Sequence, residues 1–325
     1  MHSSTIASVA LFVASTLAYP TPTGSSVADI AGGSAPNGTP PKNISAAAIA
    51  DFQGVNFLEN MEAAFFEQGL ENLTAWNHHG ELDAAIEVVT RVHAQELIHV
   101  QTAKNILNHF QKPTFEPCQY QFPVTNAEEF LDLANIITSA GIGAVINVAS
   151  SLALTDPSLV QGPASILSSE ARHDAFFRIA ALDIVPNPTP FDTRISAAYA
   201  LNLASPFIVP GSCAAMPKFP TIPPLAQIKP RYHQHGTTGT DVPIQFAVDA
   251  QALHRAGALF IGWVNQANVV NYTPAKMVGT GVVETVIPEG LGGMAFAALT
   301  NTQTATDVNT LTGLTLAGPA PVQIS

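Results

Sequence analysis

Apolar residues recur at helical spacing from Ala47 to about Asp183, in four long blocks. Turn-forming stretches at 72–80, 112–125 and 155–162 separate these blocks. Helices of this length, joined by short connections, are typical of helical bundles. The pattern therefore predicts a mainly α N-terminal part built as a four-helix bundle.

The pattern changes after the fourth block. A fifth helix is predicted at Thr193–Leu203, and residues 206–230 are then dominated by Pro, which indicates a domain boundary. Beyond Asp241, short runs of Val, Ile, Phe and Thr alternate with Gly and Pro, as in Ile244–Val248 and Met294–Leu299. We therefore predict three parts: a helical bundle with an extra helix at 46–204, a Pro-rich connector at 205–240, and a small β-sandwich-like module at 241–325.

The N-terminal segment carries an apolar run from Thr5 to Leu17 that ends in small residues. This pattern is typical of a signal peptide, which we place at residues 1–18, and it predicts secretion to the extracellular space or the cell wall. Residues 19–45 are rich in Gly, Pro, Ser and Thr, a composition that buries little apolar area. We expect a disordered linker there.

Composition narrows the function classes. The 325 residues are 47% hydrophobic and 11% charged, which excludes a charge-driven disordered protein. The net charge of -12 and the lack of long basic runs make nucleic acid an unexpected partner. The apolar stretch at 142–154 is too short to span a bilayer, so no membrane insertion is predicted. The sequence contains neither the Gly-x-Ser-x-Gly nucleophile elbow of hydrolases nor a phosphate-binding Gly loop, so neither a hydrolase nor a nucleotide-binding protein is predicted.

Two further features agree with an oxidising compartment. Cys118 and Cys213 could form a disulfide. Sequons for N-glycans begin at Asn37, Asn43, Asn72 and Asn271. Glycans and the long C-terminal module would obstruct a closed shell of many subunits, so we expect a monomer or a small oligomer.

Two Glu-x-x-His pairs interrupt the apolar faces of the second and fourth predicted helices. Residues three apart are neighbours on a helix, so each pair presents a carboxylate and an imidazole together. On the first helix, one or both of Glu59 and Glu62 lie at the same depth. Buried carboxylates need a cation or a hydrogen-bond partner, and oxygen and imidazole donors suit iron, manganese or zinc. The candidate metal ligands are Glu59, Glu96, His99, Glu170 and His173, with Glu62 as a further candidate.

The third helix departs from a complete two-metal site. Such bundle sites take one Glu from each of two helices and a Glu-x-x-His pair from each of the other two. Thr138 stands where the fourth carboxylate is expected, and Glu128 and Glu129 lie at the helix start, where they favour the helix dipole. A metal-free network of Glu–His hydrogen bonds is therefore the alternative interpretation.

These motifs resemble ferritin-like proteins of the type found in plant desiccation-related proteins and in fungal stress-response and late-sexual-development proteins. The resemblance rests on the segments Phe57–Phe66, Glu96–His99, Ile166–His173 and Val286–Gly290. It implies a ferritin-like bundle, Glu59 as the ligand from the first helix, and a stress or developmental role. Relatives with intact sites carry Glu and Tyr on the third helix where this chain has Thr138 and Val145.

Three functions are consistent with the sequence. The leading hypothesis is a secreted ferritin-like protein that binds iron or manganese and has a stress or developmental role. The second is a metal-dependent oxidase with an incomplete two-metal site. The third is a metal-free structural or adhesive extracellular protein.

Overall fold

The computed structural model describes residues 26–182, 184–228, 242–249 and 257–324. The predicted signal peptide at 1–18 lies outside these residues, as do the first part of the predicted linker and the end of the predicted Pro-rich connector.

Four long helices make up most of the N-terminal part. They follow the short helix α1 (Val27–Ala31). The four are α2 (Ala46–Trp76), α3 (Asp83–His109), α4 (Ala127–Thr155) and α5 (Gln161–Leu182). The side chains of Ser45 and Asn126 accept hydrogen bonds from backbone N–H groups in the first turns of α2 and α4. The helix α2 packs on α3 and α4, and α5 packs on α4 and α3. All four predicted helical blocks are thus helices that pack together.

Two apolar clusters lie towards opposite ends of these helices. One includes Phe66, Phe130 and Phe177, and the other includes Leu107 and Leu152. Along α3, Glu96 and His99 fall between Val92 of the first cluster and Ala103 of the second. Glu170 and His173 fall between Leu159, just before α5, and Phe177. The polar residues therefore occupy a layer with apolar packing on either side of it.

The helix α4 is unusually apolar. Among the described residues it is the one helix that could cross a membrane by length and composition, and half of its most apolar window is buried inside the protein. It packs against α2, α5 and the later helix α6 (Ala197–Ala204). These contacts account for its apolar character as a core helix.

A short helix, α1 (Val27–Ala31), lies within the segment predicted to be a disordered linker. Ser26 and Asp29 form a capping box, and Gly32 ends the helix in the left-handed conformation with φ of 83°. Ala31 is buried, and its carbonyl accepts a hydrogen bond from the side chain of Gln95 on α3. In its described part, the linker is therefore partly ordered, because capping and contact with α3 offset the unfavourable composition.

The C-terminal part differs from the predicted β-sandwich-like module. Its strands are β1 (Leu225–Gln227), β2 (Val242–Val248), β3 (Leu259–Asn265), β4 (Asn271–Gly279), β5 (Val282–Ile287), β6 (Gly293–Thr300) and β7 (Thr315–Ile324). They form one antiparallel sheet in the order β1-β2-β5-β4-β3-β6-β7. The sheet curls until its edges meet, with the N–H of Gly318 on β7 donating to the carbonyl of Pro223, 2.8 Å away and just before β1.

The burial pattern of strand β6 explains why one curled sheet forms. Its alternate residues Ala295, Ala297 and Leu299 pack inside the sheet, in a cluster with Trp263. The intervening side chains, such as Phe296, pack outside the sheet in a second cluster with residues of the helical part, including Tyr199. The strand is thus buried on both faces, one of which is covered by helices rather than by a second sheet.

The helix predicted at Thr193–Leu203 starts later, as α6 at Ala197. Ser196 caps it by accepting a hydrogen bond from the N–H of Tyr199. The preceding residues connect the helices to the sheet: the N–H of Ile195 donates to the carbonyl of Gly143 on α4, and the hydroxyl of Thr193 donates to the carbonyl of Met294 on β6. A short helix, α7 (Val308–Thr312), precedes β7.

Cys118 and Cys213 form a disulfide between residues 95 positions apart. It joins the connection between α3 and α4 to the segment that follows α6. Backbone hydrogen bonds support the same contact, with the N–H of Gln121 donating to the carbonyl of Phe207 and that of Val209 donating to the carbonyl of Gln119.

Candidate metal centre

The two Glu-x-x-His pairs and Glu59 converge in the buried layer between the apolar clusters. The Nδ1 atom of His99 lies 2.9 Å from Glu96 Oε2, 3.1 Å from Glu170 Oε1 and 3.6 Å from Glu59 Oε2. The Nδ1 atom of His173 lies 3.2 Å from Glu96 Oε1 and 3.4 Å from Glu170 Oε2. All five residues are buried. The helices α2, α3 and α5 therefore bring all five sequence-predicted ligands together.

These side chains form two groups of three potential ligands. One group is Glu59, Glu96 and His99, and the other is Glu96, Glu170 and His173. In each group, one ligand atom per residue lies within 4.8 Å of the others. Glu96 belongs to both groups, so its two oxygens can face two neighbouring cations.

Hydrogen bonding leaves several atoms of this cluster without a partner. His173 uses Nε2 to contact Oε1 of Gln95 at 2.7 Å, so that nitrogen carries the hydrogen and donates to the amide oxygen. In the neutral ring, Nδ1 is then a bare lone pair that faces carboxylates. Among the described residues, Nδ1 of His173, Oε1 of Glu96 and both carboxylate oxygens of Glu170 are buried without a hydrogen-bond partner. Lone pairs that face one another in a dry site fit a cation placed between them.

Burial and mutual charge shift the protonation equilibria of the cluster. Burial raises the pKa of Glu59 to about 8, although His99 counteracts it. Burial and the neighbouring carboxylates raise the pKa of Glu62 well above its usual range. Burial opposes ionisation of Glu96, but the two imidazoles prevail and lower its pKa. Burial would lower the pKa values of both imidazoles, yet the carboxylates raise that of His99 and bring that of His173 to about 10. The carboxylates thus require nearby positive charge.

Glu62 lies one turn beyond Glu59 on α2 and is also buried. Its Oε1 atom is 2.9 Å from the position that a Cβ would take at Gly141 on α4. The absence of a side chain at Gly141 therefore lets the carboxylate of Glu62 lie against the α4 backbone. A fourth carboxylate thus approaches α4 from the neighbouring helix.

The helix α4 itself contributes no carboxylate at this depth. Thr138 is fully buried, and its hydroxyl has no partner among the described residues. Glu129 lies at the helix start, where its carboxylate accepts hydrogen bonds from the backbone and hydroxyl of Thr125. The structure therefore agrees with the departure inferred from Thr138, and it places Glu129 in a capping position.

Aromatic rings bound the cluster on one side. Phe66, two turns beyond Glu59, stacks on Phe177 of α5 with ring centroids 5.5 Å apart and an interplanar angle of 13°. Both rings are fully buried, and Phe130 of α4 packs edge-on against Phe66. This packing keeps water from the cluster on that side.

Sequence reasoning did not identify Gln95 or Asp174. Gln95 precedes a motif residue but contacts His173, 78 residues further along the chain. Asp174 follows His173 on α5 and accepts hydrogen bonds from Asn135 and Ser139 of α4. Burial raises the pKa of Asp174 to about 6 despite these bonds. Both contacts join different helices, so no local spacing in the sequence signals them.

Searching the curated proteins finds no match. The model of the ferritin-like domain family matches residues 51–182, the stretch that carries every candidate ligand. The helical part that holds the Glu/His cluster is therefore similar to ferritin-like domains.

Proposed function

We propose that this protein binds two divalent transition-metal cations in its ferritin-like domain. The ligands are Glu59, Glu96 and His99 for one cation and Glu96, Glu170 and His173 for the other. The observation that carries the proposal is the convergence of two three-ligand groups that share Glu96. Iron and manganese suit this mixture of carboxylate and imidazole donors.

Charge balance supports two cations rather than one. With Glu62, four carboxylates and two imidazoles meet in the buried layer. Two divalent cations would balance the four negative charges without placing protons on the imidazoles. The buried lone pairs without partners favour this arrangement over the metal-free Glu–His network.

The chain's own residues have distinct roles in this proposal. Gln95 holds the Nε2–H of His173, which fixes the ring and leaves Nδ1 available as a ligand. Phe66 and Phe177 exclude water from one side. Bound iron or manganese would supply Lewis acidity and, for iron, redox chemistry.

Metal analysis tests the proposal. Protein purified without added metal is loaded anaerobically with ferrous iron, freed of unbound iron, and analysed by mass spectrometry for metal. We expect bound iron in the wild-type protein and its loss in the double variant Glu96→Ala, Glu170→Ala. The matched control replaces two exposed glutamates on α2 and α3, Glu71→Ala and Glu87→Ala, and should retain iron. Wild-type protein that holds no iron after loading would contradict the proposal.

Metal-dependent oxidation is a second candidate. Each cation would have three protein ligands, which leaves coordination positions open for water or a small molecule. Oxygen uptake after ferrous iron is added to the metal-free protein separates an oxidase from an inert binding site. An uptake rate no higher than that of the Glu96→Ala, Glu170→Ala variant would exclude the oxidase.

Secretion is part of the proposal as well. The Cys118–Cys213 disulfide and the exposed sequons at Asn37, Asn43 and Asn271 support an extracellular setting. A stress or developmental role is proposed from the motif resemblance alone. A drop in mass after treatment of the native secreted protein with an N-glycosidase would support secretion, and recovery only from the cytosol would contradict it.

A further inference from the structure

A cavity of about 660 Å³ lies between the helical part and the edges of the sheet. Its walls come from α2, α4, α6 and the edge strands β1 and β7, and they are mainly apolar. Representative apolar residues are Leu58, Met61, Ile136, Leu203 and Ile222. The volume falls within the range of about 300–1,000 Å³ that is typical of small-molecule sites.

Two amide side chains on the edge strands give this mainly apolar cavity polar groups that could bind a ligand. Gln323 on β7 and Gln227 on β1 both line it. Both amide atoms of Gln323 and Nε2 of Gln227 are buried without a hydrogen-bond partner among the described residues. Buried unpaired amide groups are costly, so their presence in a cavity indicates a ligand that hydrogen-bonds to them. A hydroxyl or carbonyl oxygen has the required chemistry.

The charges around the cavity restrict the ligand further. Among the described lining residues, the ionisable side chains are the acids Glu62 and Asp132, and none is Lys, Arg or His. No described cationic side chain in the lining would therefore compensate an anionic ligand that loses its hydration in these apolar surroundings. An uncharged ligand avoids this cost.

We propose that the cavity binds an uncharged, mainly apolar molecule with one hydroxyl or carbonyl group. The apolar walls take up the body of the molecule, and the amides of Gln227 and Gln323 bind its polar group. Glu62 lines the cavity and belongs to the buried layer of carboxylates. A ligand would therefore lie beside the proposed metal centre, and this last point rests on the proposed function.

Binding is tested on the full-length, metal-free protein with Nile red, a neutral apolar dye that carries a carbonyl group and fluoresces in apolar surroundings. Dye binding is followed by displacement with 1-dodecanol and with dodecanoate at pH 7.5. We expect saturable dye binding and displacement by 1-dodecanol at concentrations at least about tenfold lower than those of dodecanoate. Unsaturable binding, or equal displacement by the two competitors, would overturn the proposal.

Variants locate the binding within the cavity. Ala140→Phe places a ring into the cavity from α4, and we expect it to weaken dye binding at least tenfold. Ala153→Phe makes the same change at an exposed position of α4 and should bind as the wild type does. Equal binding by these two folded variants would also overturn the proposal. If circular dichroism shows that Ala140→Phe does not fold, Leu203→Phe fills the cavity from α6 and takes its place.

Two further variants separate this proposal from the metal centre. Gln323→Leu removes an amide and should weaken 1-dodecanol binding about fivefold to tenfold. Unchanged affinity in this variant would contradict the role of the amide. Glu96→Ala should abolish metal binding and leave dye binding unchanged. The assay thus reports on the cavity whether or not the protein binds metal.

Discussion

The imidazole of His173 on α5 contacts the side-chain amide of Gln95 on α3, with 2.7 Å between Nε2 and Oε1. This contact orients the ring so that Nδ1 faces the carboxylates of Glu96 and Glu170. Gln95 therefore positions a proposed ligand without being a ligand itself. Residues in such positions commonly affect metal affinity by about 10–100-fold.

Replacing Gln95 should therefore weaken metal binding. In Gln95→Leu, the Nε2–H of His173 loses its acceptor, and we expect the affinity for ferrous iron to fall by about tenfold or more. Gln95→Glu keeps a hydrogen-bond acceptor at that position, so its affinity for ferrous iron should fall less. Anaerobic competition with a chelator measures both affinities. Equal affinity in the wild type and Gln95→Leu would show that the contact does not position the ring.

The buried hydroxyl of Thr138 predicts a gain in stability. It has no partner among the described residues, so Thr138→Val should raise the free energy of unfolding by about 1 kcal/mol. Urea denaturation of the metal-free protein measures the change. The control Thr102→Val removes a hydroxyl that donates to the carbonyl of Ile98, and it should bring no gain. A loss of stability in Thr138→Val would imply that its hydroxyl has a partner.

The disulfide predicts a large contribution to stability. The disulfide closes a loop between residues 95 positions apart and so lowers the entropy of the unfolded chain. In the chain-entropy model, this raises the free energy of unfolding by about 4–5 kcal/mol. The double variant Cys118→Ala, Cys213→Ala should therefore unfold at a much lower urea concentration. Reduced wild-type protein serves as the control and should unfold near the same concentration as the variant. Equal stability of the oxidised wild type and the variant would contradict the prediction.

Asp51 on α2 should make the stability of the folded protein depend on pH. Burial raises its pKa above the usual value, Asp156 adds to the rise, and a hydrogen bond from Ser151 opposes it. The folded state therefore binds this proton more tightly than the unfolded state, and stability decreases as the pH rises from about 4 towards neutral. Asp51→Asn removes this penalty, so it should raise the melting temperature at pH 7 and have little effect at pH 3. The exposed change Glu71→Gln is the control. A gain from Asp51→Asn that is equally large at pH 3 would contradict the assignment.

Local patterns in the sequence predict the helices and most of the metal centre. Helical spacing identifies α2 to α5, and the three-residue spacing of each Glu-x-x-His pair places both side chains on one face. The polar residues that interrupt apolar faces then mark the depth at which the helices meet. Thr138 is likewise recognisable as a missing carboxylate because it occupies a defined position on the inner face of α4.

Contacts between distant segments could not be predicted in the same way. The curled sheet depends on pairing β2 with β5 and β3 with β6, which no local alternation specifies. The contact of Gln95 with His173 and the approach of Glu62 to Gly141 both join different helices. The helix α6 starts four residues later than its apolar pattern predicts, although Ser196 is a typical capping residue.

The central claim is that two cations share Glu96, and stoichiometry tests it most directly. Metal-free wild-type protein, Glu59→Ala and Glu96→Ala are titrated anaerobically with ferrous iron, and the bound iron per chain is counted after unbound iron is removed. The shared ligand predicts two ions in the wild type, one in Glu59→Ala and none in Glu96→Ala. Two ions bound to Glu96→Ala, or none bound to the wild type, would contradict the account.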